Sequence, residues 1–174
     1  KDKIKGHTVI FSKDPNNKIL KENLINGNFN VTTFDEKIII QKPGGVLDIA
    51  NINEIPITFE GRAGFNVENV MAAVGAAYAL GVKEEYIKEG LISFSPSIGQ
   101  SPGRMNIIDI GDFKVIVDYS HNVGAIHATG EFVKNLMLGK KIRLSSGVGN
   151  RRTEDIIEFG ESLANYFDKV VICD

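Results

Sequence analysis

Val115-Ile116-Val117-Asp118-Tyr119-Ser120-His121-Asn122 decides the fold. Three β-branched residues in a row predict a strand, and the polar residues after them lead into a helix. Phe113–Tyr119 reads as a strand, 122–138 as a helix, 141–146 as a strand, 153–167 as a helix and 169–173 as a strand. Apolar strands alternating with helices of this length predict right-handed βαβ units on a parallel sheet, the Rossmann-like pattern.

Upstream the pattern differs. Residues 7–12 predict a strand, Asp14-Pro15-Asn16-Asn17 a turn, and 19–25 a short helix ending near Gly27. Residues 29–34, 37–41 and 46–50 read as three strands of an antiparallel meander, with turns at Asp35-Glu36 and Pro43-Gly44-Gly45. Ile55–Phe59 reads as a further extended piece. Val67, Val70, Met71, Val74 and Ala77 then recur at helical spacing, with Asn66 as the expected N-cap and Gly81 as the stop. A second helix is expected over 83–93, with Ile87, Leu91 and Ile92 inward. The segment 95–102 holds two prolines and reads as the linker. Met105–Ile110 and Phe113–Val117 form an expected hairpin around Gly111-Asp112. The fold class is therefore α/β: a small antiparallel sheet with helices over 1–95, then a truncated Rossmann-like βαβ domain over 96–174. Both ends read as cuts through a longer protein.

Bulk properties narrow the function. The 174 residues are 43% hydrophobic and 24% charged, with net charge −2, so no global field recruits nucleic acid or an anionic membrane. No apolar run spans a bilayer, and no signal peptide is present. The single cysteine, Cys173, excludes an internal disulfide framework, suits the cytoplasm and reads as a buried strand residue. His7, His121 and His127 have no cysteine or carboxylate at zinc-like spacing, so no metal ligand is assigned. No G-x-x-x-x-G-K-[ST] loop and no G-x-S-x-G elbow occur.

Ligands of an open parallel sheet bind beyond the carboxyl ends of its strands. Asp118 there suits ribose hydroxyls, His121 suits a phosphate or acyl-phosphate oxygen, and Asn122 suits the helix start, which attracts anions. Asp118 and Asn122 serve equally well as caps for orphan backbone amides, the more economical role on spacing alone. The second strand end, Gly147-Val148-Gly149-Asn150-Arg151-Arg152, offers glycines that let a ligand approach backbone and arginines that neutralise phosphate; turn geometry alone also accounts for the glycines. Asn66 and Asn69 carry amides able to read an adenine edge, or stand as a cap and a surface residue. Arg104 after Pro102-Gly103 is otherwise an ordinary surface cation.

Taken together, Phe65-Asn66-Val67-Glu68-Asn69-Val70-Met71, Pro102-Gly103-Arg104-Met105, Asp118-Tyr119-Ser120-His121-Asn122 and Gly147-Val148-Gly149-Asn150-Arg151-Arg152 resemble the Mur ligases in order and spacing. The likeness covers essentially the whole chain and is greatest to the branch that extends an aspartate–arginine polymer. Val123 stands where proline is usual, and Asn150 and Thr153 where acidic residues are common. The resemblance implies an ATP- and Mg2+-dependent amide ligase working through an acyl-phosphate. Asn66 and Asn69 would contact adenine, and Arg104, Asp118, Gly147 and Gly149 the ribose or phosphate side. His121 and Asn122 would lie by the transferring phosphoryl group. The implied partners are ATP, aspartate or arginine and a peptide-like acceptor, with no nucleic acid and no membrane; an open sheet edge suggests pairing with another copy. A muramyl-peptide or folylpolyglutamate ligase, or a non-catalytic nucleotide-binding module, is the alternative.

Overall fold

The computed structural model describes residues 8–136, 139–146 and 149–173. The chain divides into two compact units, Lys1–Pro96 and Ser97–Asp174.

The first unit is a four-stranded sheet with helices. Its strands are β1 (Ile10–Ser12), β2 (Asn30–Phe34), β3 (Lys37–Lys42) and β4 (Gly45–Asn51), in that spatial order. The expected meander β2–β3–β4 is antiparallel, but β1 joins β2 in parallel, with α1 (Lys18–Ile25) between them, so the sheet is mixed. Asn17 caps α1 by accepting the Ile19 N–H at 2.9 Å. Helices α2 (Gly64–Ala79) and α3 (Glu84–Ser93) bury Val67, Val70, Met71, Val74 and Ile87 against Val31, Ile38, Ile40 and Ile49. Gly75 permits close approach, because a Cβ there would lie 2.8 Å from Val9.

Three local expectations need correction in this unit. Ile55–Phe59 is not extended: Pro56–Thr58 forms a 3-10 turn, and Phe59 and Glu60 adopt left-handed φ values of 52° and 59°. The Thr58 hydroxyl donates towards the carbonyls of Ile52 (2.7 Å) and Ile55 (2.8 Å) and accepts from Gly61 N–H, drawing the backbone into a turn despite its β-branched residues. Asn66 is not the N-cap of α2. The helix begins two residues earlier, Ala63 occupies the cap without a side-chain bond, and Asn66 lies buried in the first turn. Ile92 is 39% exposed, because it sits about 100° around α3 from the face that Leu91 shares with Ile87.

The second unit opens with the hairpin β5 (Asn106–Asp109) and β6 (Lys114–Val117). Then come α4 (Val123–Asn135), β7 (Ile142–Ser146), α5 (Thr153–Tyr166) and β8 (Lys169–Cys173). β7 and β8 pair in parallel across α5, as a βαβ unit requires. Ile126 of α4 packs with Phe159 and Leu163 of α5, and Val170 joins them from β8. The expectation that the 113–119 strand belongs to this parallel sheet is corrected: among the described residues β6 pairs only with β5, and the strand stops at Val117. There Asp118 takes backbone N–H groups onto its carboxylate and turns the chain. Cys173, expected to be buried, is exposed. Arg143 and Ser145 alternate with Ile142 and Leu144 along β7, and Ile142 (60%), Leu144 (67%) and Val171 (39%) face solvent. His7, Leu138 and Gly147 lie outside the described residues.

Candidate functional site

The second unit gathers its polar residues around the turn 102–105. Gly103 has φ +71° and donates its N–H to Asn106 Oδ1 at 2.7 Å, while Asn106 Nδ2 donates to Ser101 O at 2.9 Å. Met105 is buried and left-handed, with φ +51°, a conformation that costs a non-glycine residue energy. The Asp118 carboxylate holds it there. Oδ2 accepts the Met105 N–H at 3.0 Å, and Oδ1 accepts the Ser120 N–H at 2.9 Å. Tyr119 N–H closes the link by donating to Gly103 O at 2.9 Å. Turn 102–105 and segment 118–120 are thus one stitched unit, and both Asp118 oxygens already have a backbone partner.

Arg104, Tyr119 and His121 lie side by side along this unit, with the Tyr119 and His121 rings tilted by 50°. The Arg104 guanidinium lies 5.2 Å from the Tyr119 ring centre, and the His121 ring centre 4.9 Å from it. His121 Nδ1 is 3.1 Å from Tyr119 O. A carbonyl only accepts, so Nδ1 carries the proton of that bond and Nε2 is the nitrogen left for a ligand. Asn122 Oδ1 accepts the Ala125 N–H at 2.8 Å and caps α4, which leaves its Nδ2.

A cleft of about 340 Å3 is lined by Asp118, His121, Arg143, Ser145, Gly149 and Arg151 among others. An adjoining one of about 370 Å3 is lined by His121, Asn122, Arg151, Arg152 and Asp155. Asp118 and His121 therefore share a cleft with Gly149, whose φ is +64°. Arg152 forks onto Asp155 with two bonds of 3.0 and 2.7 Å and holds that carboxyl below its usual range. Among the described residues Arg151 makes no ion pair, so its charge is presented to both clefts, whereas Arg152 is paired with Asp155.

Arg143 lies in no motif, and Ser120, inside the 118–122 motif, was given no role of its own in the sequence reading. Arg143 Nη2 donates to Ser120 O at 3.1 Å and to Ser120 Oγ at 2.9 Å, tying the 118–120 segment to β7 where no ladder does so. Among the described residues its buried Nε has no partner. Burial lowers the Arg143 pKa, and the Asp118 charge opposes that shift. The available signal was an arginine flanked by Ile142 and Leu144 within a predicted strand.

In the first unit Asn66 is 5% exposed, and its Nδ2 donates to Ile57 O at 2.8 Å. Its Oδ1 accepts from Asn69 Nδ2 at 3.1 Å. Asn69 is exposed at the rim of a mainly apolar cleft of about 480 Å3 between α2 and α3, whose walls include Ile57, Ala73, Ala77, Tyr86 and Phe94. Among the described residues no three His, Cys, Asp or Glu side chains cluster as a metal site. No helix among them is long and apolar enough to cross a membrane.

Comparison with known proteins supplies the context. The family described as Mur ligase, glutamate ligase domain matches residues 103–174. A cyanophycin synthetase of Trichormus variabilis is 33% identical over 171 residues, 98% of this chain and 19% of that protein. The cyanophycin synthetase of Crocosphaera subtropica is 35% identical over 171 residues, 98% of this chain and 20% of its own length. The chain thus spans about a fifth of these relatives. Among solved structures, MurF from Acinetobacter baumannii superposes with a TM-score of 0.61 over 94% of this chain and 38% of its own, at 21% identity, which speaks for the fold. Residues 103–174 thus match the Mur ligase, glutamate ligase domain, and the chain as a whole is similar to cyanophycin synthetases over 171 residues.

Proposed function

We propose that this chain is part of an ATP-dependent amide-bond ligase of the cyanophycin synthetase kind, which adds aspartate or arginine to a peptide-like acceptor in the cytoplasm. Residues 1–95 belong to its central, ATP-handling domain and 96–174 to its C-terminal domain. The observation that carries this reading is the similarity running unbroken through 171 residues, across both units.

In the reaction, the γ-phosphoryl group of ATP passes to a carboxylate, giving an acyl-phosphate and ADP. An amine then attacks the acyl carbon, phosphate leaves with the C–O bond electrons, and the amine loses a proton. Mg2+ supplies charge neutralisation on the phosphates. Asn69 reads the adenine, and Arg104 and Asp118 lie on the ribose and phosphate side. Asp118 has spare lone pairs beside its two backbone bonds. His121, fixed through Nδ1, turns Nε2 to the acyl-phosphate: doubly protonated it donates to a phosphoryl oxygen, and singly protonated it takes the amine proton. Asn122 Nδ2, Gly149 and Arg151 complete the anion-facing side.

The test is to give the whole gene product ATP, Mg2+, aspartate, arginine and a short aspartate–arginine primer. Stepwise mass gains of the primer, matched by ADP and phosphate release, are expected. ATP hydrolysis without primer growth, or no ATP use at all, would overturn the reading.

A further inference from the structure

Arg143 carries an inference that rests on the ligase reading and deepens it. Its Nη2 has two hydrogens, and both go to one residue: Ser120 O at 3.1 Å and Ser120 Oγ at 2.9 Å. A charged, planar donor makes such bonds strong and directional. The guanidinium is itself backed by an aromatic ring. Its Cζ lies 5.9 Å from the centre of Phe167, and Phe167 packs against Ile126, Phe159 and Leu163. Ser120 is buried and directly precedes His121. A line of contacts therefore runs from the α4–α5 core through Phe167 and Arg143 to the residue before His121.

The line matters because β6 and β7 share no ladder among the described residues. His121 follows β6, whereas Gly149 and Arg151 follow β7, and all three line one cleft with Arg143. The bonds of Asp118 and Tyr119 to turn 102–105 hold the segment to its own hairpin and leave its spacing from β7 open. An apolar side chain would suit this half-buried strand position better than a guanidinium whose buried Nε has no partner among the described residues. We propose that Arg143 is a positioning residue for the ligase reaction: by gripping Ser120 it sets His121 Nε2 at its working distance from Gly149 and Arg151. Asp118 keeps its own bond to Met105 whether or not Arg143 is present, so the nucleotide side of the site does not depend on the grip.

The whole gene product is assayed for growth of an aspartate–arginine primer, with kcat and the KM values of ATP, amino acid and primer measured separately. Arg143→Met keeps much of the side chain's bulk and removes its donors. It is expected to lower kcat about tenfold or more, as lost alignment at a reacting centre does, and to leave each KM within about twofold. Arg143→Lys keeps a donor for Ser120 and should recover most of the rate. Ser120→Ala removes one of the two acceptors and should lower kcat about fivefold, the size of one hydrogen bond. In the Arg143→Met background the same change should lower it no further. A purely structural role would lower the melting temperature without this split between kcat and KM. If Arg143→Met does not fold, Ser120→Ala and Arg143→Lys decide the matter: an undiminished kcat in Ser120→Ala would overturn the grip. So would an undiminished kcat in Arg143→Met, or a raised KM for amino acid or primer at unchanged kcat, which would make Arg143 a substrate contact. Absence of primer growth in the wild type would overturn the ligase reading, and the positioning role with it.

Discussion

Asp118 is the residue whose role changed most between sequence and structure. Its carboxylate joins backbone amides that are 13 and 2 positions away, and one of them belongs to the left-handed Met105. Asp118→Ala leaves both amides without that acceptor and releases Met105. The expected loss is roughly 1–3 kcal/mol of stability, read from urea unfolding. Asn69→Ala, at an exposed position, should stay within about 0.5 kcal/mol of wild type. An unshifted midpoint for Asp118→Ala would mean that the turn holds itself. Asp168 works similarly on a smaller scale. Its carboxyl accepts the Lys141 N–H at 2.6 Å, and that bond keeps its pKa below the ordinary 3.8. A depressed pKa contributes stability that is present above the ordinary value and lost as pH falls through the folded one. Asp168→Asn should therefore lose little additional stability between pH 4 and pH 2, about where carboxylates titrate, whereas the wild type loses more; parallel urea midpoints across that range would contradict this. Residue roles were legible where the partner is local. Asn before a helix is a cap signal, and Asn122 caps α4. The Met105–Asp118 and Ser120–Arg143 bonds span 13 and 23 positions, and no spacing rule reaches them.

At the scale of elements, α4 and α5 meet through a notch. A Cβ at Gly130 would fall 2.3 Å from Cγ of Tyr166, so the Tyr166 ring lies against bare helix backbone. His127 Nδ1 reaches the Tyr166 hydroxyl at 3.0 Å and keeps the ring in place. Ala normally favours a helix interior over Gly by about 1 kcal/mol. Gly130→Ala should nevertheless destabilise by roughly 1–3 kcal/mol, because the clash is with the Cγ end of the ring, which clears the new methyl only if the whole side chain moves. Gly160→Ala on α5 meets nothing within 4 Å and should stabilise instead. Opposite signs in thermal melts of the two variants are the expected result, and stabilisation by both would remove the notch argument. The helices were readable because their 3.6-residue period survives in the sequence, as in Val67, Val70, Met71 and Val74. The 3-10 turn at Pro56–Thr58 was not, because one threonine hydroxyl outweighs the β-preference of its neighbours.

For the whole molecule, the fold class was readable from strands alternating with helices, and the resemblance to the Mur ligases from four short motifs that keep their order along the chain, although each alone is weak. The separation of β5–β6 from the β7–β8 sheet was not, since strand periodicity records which faces are apolar and not which strand is the neighbour. The same motifs predict what the chain does alone. Phosphoryl transfer needs a phosphate-cradling loop, its lysine and bound Mg2+. The sequence contains no G-x-x-x-x-G-K-[ST] run. Among the described residues no group of three His, Cys, Asp or Glu clusters as a metal site, and the basic side chains lining the two clefts are arginine and histidine. Phosphate release by this chain with ATP, Mg2+ and aspartate or arginine should stay at background. Turnover that follows the protein through purification and vanishes in His121→Ala would place the phosphate site here.

The solvent-facing side of β7 and β8 has a practical consequence. Parallel strands are ordinarily covered on both faces, yet Ile142, Leu144 and Val171 are open to water. Sulfate-type salts strengthen apolar association by exclusion from protein surface. Solutions of this chain should therefore turn cloudy on modest additions of ammonium sulfate, and a lysine in place of Leu144 should postpone the clouding without altering the helical circular dichroism.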